Sequence, residues 1–145
     1  MENRRILVVA NETVASETLQ ELIGREPAGT EVLVVAPALT SRLAFWASDD
    51  TGARLDAEER LVVCLASLRT VGIDGVGFVG DANPLLAMED ALRDFTADEI
   101  VIATHPEGRS NWLARNVVER ARSRFAPPIH HVVVDTLQGS ELIAA

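Results

Sequence analysis

The feature that most constrains the fold of this chain is an alternation of short apolar runs with longer amphipathic segments. Five runs have the length of a strand and are largely apolar, with polar residues mostly at their ends: RRILVVA, EVLVVAP, DGVGFVG, DEIVIAT and IHHVVVD. Continuous runs are typical of strands buried on both faces of a parallel sheet. The alternation predicts one domain over residues 1–145 with a three-layer α/β/α, Rossmann-like fold, in which helices cover both sides of a five-stranded, parallel, doubly wound sheet.

Four helices are predicted between the strands, and three of them have recognisable starts. The first helix lies in NETVASETLQELIGRE, where apolar residues recur at helical spacing. The second begins at Asp56, with Glu59 placed almost as in a capping box. The third begins with Asn83 as its cap and Pro84 at the first helical position. The fourth begins with Asn116 as its cap, followed three residues later by Glu119.

Two segments lack a clear pattern. Residues 38–54, ALTSRLAFWASDDTGAR, show no period and follow the end of strand two. They are interpreted either as a lid over a site or as a covering for the core. The tail TLQGSELIAA is short and is interpreted as an adjunct to the domain.

Charge and composition exclude several functions. The formal net charge is −9, which disfavours a nucleic-acid partner. The chain contains no lysine, so neither a P-loop nor Schiff-base catalysis is possible. The apolar runs are too short to cross a bilayer, and MENRRILVVA does not resemble a signal peptide. We therefore expect a cytoplasmic protein with no membrane partner.

The cysteine and histidines offer little catalytic chemistry. Cys64 lies in the apolar helical stretch RLVVCLASL and is predicted to be part of the core. His130 and His131 are neighbours on a strand, so they point to opposite faces and do not chelate one ion. His105 stands in a loop that faces any ligand, and a structural and a functional role are equally open for it. We predict no catalytic residue, no metal site and no enzyme activity.

A cluster of arginines follows strand four: Arg109, Arg115, Arg120, Arg122 and Arg124. Such a cluster is either a solvated helix face or an anion-binding patch, and the solvated face is the favoured interpretation. In a doubly wound sheet, ligands bind at the carboxyl ends of the strands, close to the point where the strand order reverses. The loops after strands one, two and four are therefore the predicted site.

The order of these pieces resembles the universal stress protein family over nearly the whole chain. RILVVANE and EVLVVAP are similar to the first two strands of that family. GDANPLLAMEDALRDFTADEIVIATH is similar to the stretch from its G-D/N-P turn into strand four, and NVVERARSRFAPPIHHVVVD to its last helix and strand. The resemblance implies an adenine nucleotide alpha hydrolase-like fold and a stress-related or regulatory role.

The ATP-binding motif of that family is degenerate in this chain. Its ATP-binding members carry G-x2-G-x9-G-[ST] between strand four and helix four, whereas this sequence has Ala103 and Pro106 at the first two glycine positions. Arg115 and Asn116 stand at the last pair, with the spacing one residue short, and the aspartate usual after strand one is Asn11. Without glycine, backbone N–H groups approach phosphate less closely, and proline has no N–H to donate.

The resemblance therefore implies a non-enzymatic module with weak or no ATP binding and no expected cofactor. The alternative is an ATP- or AMP-binding member with a rewritten phosphate loop. An enzyme acting on a nucleotide or other small anion is the third and least favoured possibility. The residues predicted to lie around any nucleotide are Asn11, Glu12, Val35, Thr104, His105, Gly108, Arg109, Ser110, Arg115 and Asn116.

The expected partners are a second copy of the chain and a further protein. In the layout of the family, strand five is the edge of the sheet, and an open apolar edge invites pairing. Two-fold pairing through IHHVVVD satisfies the backbone groups of that edge in a closed way. We therefore predict a homodimer through strand five.

Overall fold

The computed structural model describes residues 4–10, 29–38, 50–81, 83–104, 116–135 and 140–144. The elements in chain order are β1 (Arg4–Ala10), β2 (Thr30–Pro37), α1 (Asp50–Thr70), β3 (Val76–Gly80), α2 (Pro84–Asp94), β4 (Glu99–Thr104), α3 (Val117–Arg124), β5 (Ile129–Asp135) and β6 (Ser140–Ala144). The helix predicted in NETVASETLQELIGRE lies outside the described residues, as do residues 39–49 of the segment without a clear pattern.

The strands form one sheet in the order β3-β2-β1-β4-β5-β6. The first five strands of the chain are mutually parallel, with Val8 of β1 opposite Val34 of β2 and Val101 of β4. From β1 the sheet extends to one side through β2 to β3, and to the other side through β4 to β5, so the strand order reverses between β1 and β4. This is the arrangement of a doubly wound sheet, and it confirms the predicted α/β fold class.

The sixth strand changes the edge of the sheet. β6 pairs antiparallel with β5, so that Val133 is opposite Leu142 and Asp135 is opposite Ser140. The tail that was expected to be only an adjunct therefore contains a strand. The premise that β5 is the open edge of the sheet is wrong, because β6 already occupies the backbone groups on that side. A homodimer through β5 requires β6 to leave that position.

Each face of the sheet has its own core, because successive side chains of a strand point to opposite sides. On one face, which we call the α1 face, Ile6 and Val8 pack with Cys64 and Leu68 of α1. On the other face, which we call the α2/α3 face, Leu7 of β1 packs in one cluster with Met88 of α2 and Val118 of α3. Cys64 is completely buried, as predicted.

Helix α1 begins earlier than the sequence predicts. It starts at Asp50, so Asp56 lies inside the helix with an exposed side chain, and the predicted cap at Asp56 is wrong. Arg54 and Leu55 are good helix formers, which favours continuation through this point. The helix ends at a left-handed Gly72 with φ 89°. There, Ile73 N bonds to Leu68 O and Gly72 N to Arg69 O, as in a Schellman motif.

Helix α2 begins as predicted. The Asn83 side chain accepts hydrogen bonds from Leu85 N at 3.0 Å and Leu86 N at 3.4 Å, and Pro84 follows at the first helical position. The predicted inward residues do contribute to the core of the α2/α3 face. Met88 is fully buried in it, and Leu85, Leu92 and Phe95 are partly buried against this core. The cap fixes where α2 begins after the carboxyl end of β3. The candidate site also lies at the carboxyl ends of the strands.

Candidate functional site

The candidate site lies at the carboxyl ends of the strands, where the order reverses between β1 and β4. Ala10 and Ala103 are paired neighbours at the ends of these two strands, and both side chains are fully buried. Helix N-termini also face this edge, because a crossover helix runs antiparallel to its strands. Strand ends and helix starts therefore meet here, as at the ligand sites of doubly wound sheets.

Only part of the predicted site falls on described residues: Val35, Thr104 and Asn116. Outside the described residues lie Asn11, Glu12, His105, Gly108, Arg109, Ser110 and Arg115. Val35 packs in the core of the α2/α3 face, and its strand is separated from that of Thr104 by β1. Asn116 is exposed at the start of α3.

Thr104 forms the closest polar contact of the site with His131. Thr104 is the last residue of β4 and is fully buried, and His131 on β5 is only 8% exposed. The Thr104 Oγ1 atom lies 2.7 Å from His131 Nε2, a hydrogen bond whose donor depends on the tautomer of the imidazole. Both residues project to the α2/α3 face from neighbouring strands, so the bond fastens the end of β4 to β5.

Burial lowers the pKa of His131 below its ordinary value of 6.5, and the nearby Arg122 guanidinium lowers it further. The charged imidazolium is disfavoured first because burial removes its hydration, and second because Arg122 repels it. His131 is therefore neutral at physiological pH, and an unprotonated ring nitrogen can accept a hydrogen bond from the Thr104 hydroxyl. From the sequence, His131 was predicted only to lie on the opposite face from His130, and its contact with Thr104 was not predicted.

Arg60, which was not among the predicted site residues, reaches the carboxyl ends of two strands. Its Nη2 donates to the carbonyl of Pro37 at 2.8 Å, and its Nε donates to the carbonyl of Ala10 at 3.3 Å. The contact joins α1 to the ends of β1 and β2. The spacing of residues in α1 could have indicated this contact. Arg60 lies three residues after buried Ala57 and four before buried Cys64, so it is on the inward side of α1.

His130 belongs to a separate cluster near the amino ends of the strands. Its Nε2 lies 3.3 Å from Glu99 Oε1, and Glu99 Oε2 accepts from Arg4 Nε at 2.5 Å. The two neighbouring histidines thus contact different partners on opposite faces, as predicted. No group of three metal-ligating side chains occurs among the described residues.

The start of α3 differs from its prediction. Asn116 has a left-handed backbone, with φ 54° and ψ 38°, and its side chain makes no capping hydrogen bond. A capping side chain needs an extended backbone to fold back onto the first turn. The predicted cap at Asn116 is therefore wrong, although α3 does begin after it. Glu119 pairs with Arg122 at 2.9 Å instead of completing a capping box.

Two arginines of the cluster, Arg122 and Arg124, form ion pairs in the structure. Arg122 pairs with Glu119, and Arg124 pairs with Glu89 of α2 at 2.6 Å. A groove of about 570 Å³ runs between the two helices, lined by Leu85, Asn116, Glu119, Arg120, Ser123 and Arg124. Because acidic side chains lie among the arginines, these contacts favour a solvated, ion-paired helix face over an anion-binding patch.

The sequence matches no family profile, and no characterised protein matches it significantly. The resemblance to universal stress proteins therefore stays a prediction. In the part of the chain that the structure describes, no helix is long and apolar enough to span a bilayer.

Proposed function

We propose that this protein is a non-enzymatic regulatory module of the universal stress protein type, with weak or no ATP binding. The observation that carries the proposal is that polar groups at the site are already hydrogen-bonded to other groups of the same chain. Arg60 bonds the carbonyls of Ala10 and Pro37, and His131 bonds the hydroxyl of Thr104. A ligand that needs these groups must first replace bonds that already exist.

The packing at Ala103 supports the same proposal. Ala103 stands at the first glycine position of the family motif, and it is fully buried in the core of the α1 face. A methyl group packed there is consistent with a strand end that serves the core instead of a phosphate. A backbone N–H that no longer reaches a phosphate loses a charge-assisted hydrogen bond, which removes about 1.5–3 kcal/mol of binding energy. The loss of two such bonds weakens ATP binding by roughly a hundredfold or more.

An adenine-nucleotide binder with a rewritten loop is the second candidate, and one observation favours it. Since the Asn116 side chain makes no capping bond, it does not occupy the N–H donors in the first turn of α3. Donors at a helix start are suited to bind a phosphate. In this alternative, Gly108, Arg109 and Ser110 supply the remaining contacts.

Titration with nucleotide separates the two candidates. Thermal unfolding is followed by fluorimetry with Mg-ATP, with AMP and without ligand, and calorimetry measures the affinity directly. We expect no shift at micromolar nucleotide, whereas a ligand present at a hundred times its Kd adds about 2.7 kcal/mol of stability. Micromolar affinity, or nucleotide retained through purification, contradicts the proposal. Arg109→Ala and Arg115→Ala are then the next variants to measure, with Arg69→Ala on the exposed side of α1 as the matched control.

We further propose that the protein acts in the cytoplasm through contacts with other proteins, including a second copy of itself. The acidic net charge of −9 is consistent with a protein partner rather than nucleic acid. A pull-down with the purified chain, compared with and without nuclease treatment, tests this preference. Capture that depends on nucleic acid contradicts it.

A further inference from the structure

The edge of β5 is occupied by a strand of its own chain. β6 runs antiparallel to β5 over five residue pairs, from His131 opposite Ala144 to Asp135 opposite Ser140. β5 ends at Asp135 and β6 begins at Ser140, so the connection has the length of a hairpin loop. On its other side, β5 is paired with β4.

A second copy of the chain needs the same backbone groups. When a two-fold axis relates two edge strands, the strands pair antiparallel, which is also the direction of β6. One side of a strand can pair with one neighbour only. The β5 strand of a second copy and the β6 strand of the same chain are therefore alternative occupants of one edge.

We propose that β6 is an internal competitor that controls dimerisation: the chain is monomeric while β6 is paired, and β5 joins a second copy only after β6 leaves. This inference rests on the self-association included in the proposed function. The short connection gives β6 an effective concentration of about millimolar at the β5 edge, so a second copy at micromolar concentration is at a disadvantage.

Release of β6 leaves the rest of the sheet in place. The pairing of β5 with β4, from Ile129 to Val133, involves no residue of β6. β6 is a short edge strand, and its pairing with β5 is the sheet contact that the structure shows for it. The exposed edge after release is the apolar run VVV, which is prone to pair with another strand.

A reversible lock tests the competition in the full chain. Val133 and Leu142 are directly opposite, so V133C/L142C can form a disulfide between β5 and β6, because opposed residues of an antiparallel pair lie within disulfide range. Val134 and Glu141 form the neighbouring pair and provide a second lock. Cys64 is buried in the core and remains unchanged. The same protein is then compared oxidised and reduced by light scattering across micromolar concentrations.

Release is tested with single prolines in β6. Of two neighbouring residues in a strand, one N–H points toward the partner strand, so only one of Leu142→Pro and Ile143→Pro removes a bond to β5, and the other is its matched control. We expect the oxidised lock to be monomeric, and the disruptive proline to strengthen dimerisation by roughly tenfold or more. Circular dichroism checks that each variant is folded.

Two results overturn the proposal but leave the proposed self-association standing. One is equal dimerisation of the oxidised and reduced lock, which shows that β6 does not compete. The other is a disulfide-linked dimer on a non-reducing gel, which shows that β6 itself joins the two copies. If every folded variant stays monomeric, β5 does not take a second copy, and the proposal fails together with the proposed self-association. Nucleotide titration of the same variants reports on the rest of the proposed function separately.

Discussion

Replacing Thr104 by valine should lower the free energy of unfolding by about 1–3 kcal/mol, the cost of leaving a buried polar group without a partner. Valine keeps the shape of threonine and exchanges the hydroxyl for a methyl group. His131 Nε2 then loses the bond at 2.7 Å, and water has little access because Thr104 is fully buried and His131 is 8% exposed. Urea unfolding at neutral pH, followed by circular dichroism, measures the change.

Two further variants isolate the hydrogen bond from packing. Thr104→Ser keeps the hydroxyl and loses one methyl group, at a cost of about 1 kcal/mol. Thr104→Val/His131→Leu removes both polar partners, so its loss should be smaller than the sum of the two single losses by about 1 kcal/mol or more. A Thr104→Val change below about 0.5 kcal/mol, or strictly additive losses, refutes the coupling.

The same histidine gives the protein a defined dependence on pH. Because the folded state lowers the pKa of His131 below 6.5, the unfolded chain binds a proton here at a higher pH than the folded protein does. Its contribution to stability is therefore complete above 6.5 and is lost as the pH falls toward the lowered value. The limiting slope is about 1.4 kcal/mol per pH unit for one proton. His131→Leu should remove this component of the acid-side decrease, and an unchanged pH profile contradicts the assignment.

Three other predictions follow from single contacts. Gly77→Ala should lower the free energy of unfolding by about 1–3 kcal/mol, because the added Cβ would lie 2.5 Å from the backbone carbonyl oxygen of Val34, which cannot move aside. Gly75→Ala should lower it less, since there the nearest atoms belong to leucine side chains. Asn83→Ala should cost about 1 kcal/mol in urea unfolding, through loss of the α2 cap. Cys64→Ala should reduce stability modestly and leave any ligand binding unchanged, because Cys64 is fully buried beside Leu68 and Val8; rapid reaction of the native thiol with a modifying reagent contradicts that placement.

Four of the five predicted strands agree with the structure to within one residue, whereas β3 begins two residues later than DGVGFVG predicts. β1 and β5 have the predicted bounds, β2 begins one residue early and β4 begins one residue late. These strands are flanked on both sides in the sheet and are apolar along their length, so burial alone selects them. β6 could not be predicted in this way, because its short sequence SELIA is stabilised by pairing with β5 rather than by a pattern of its own.

Caps were predicted with less success, for a physical reason. Asn83 and Asn116 both precede a helix, yet only Asn83 has an extended backbone, with φ −82°, and bonds the first turn. Pro84 disfavours the helical region for the residue before it and so helps to hold Asn83 extended. Val117 imposes no such limit, and asparagine tolerates the left-handed conformation that Asn116 adopts. The side chain alone therefore does not determine whether it caps a helix.

The polar contacts of the site join residues that are far apart in sequence. Thr104 and His131 are separated by 27 positions, and Arg60 and Ala10 by 50. Periodicity predicts which face a side chain occupies but not which polar atom it meets there. Arg60 nevertheless shows how far such an inference can go. An arginine on the inward side of a crossover helix needs acceptors, because its buried charge must be hydrogen-bonded. The carbonyls at the carboxyl ends of the neighbouring strands are within reach of this side chain, and Arg60 bonds two of them.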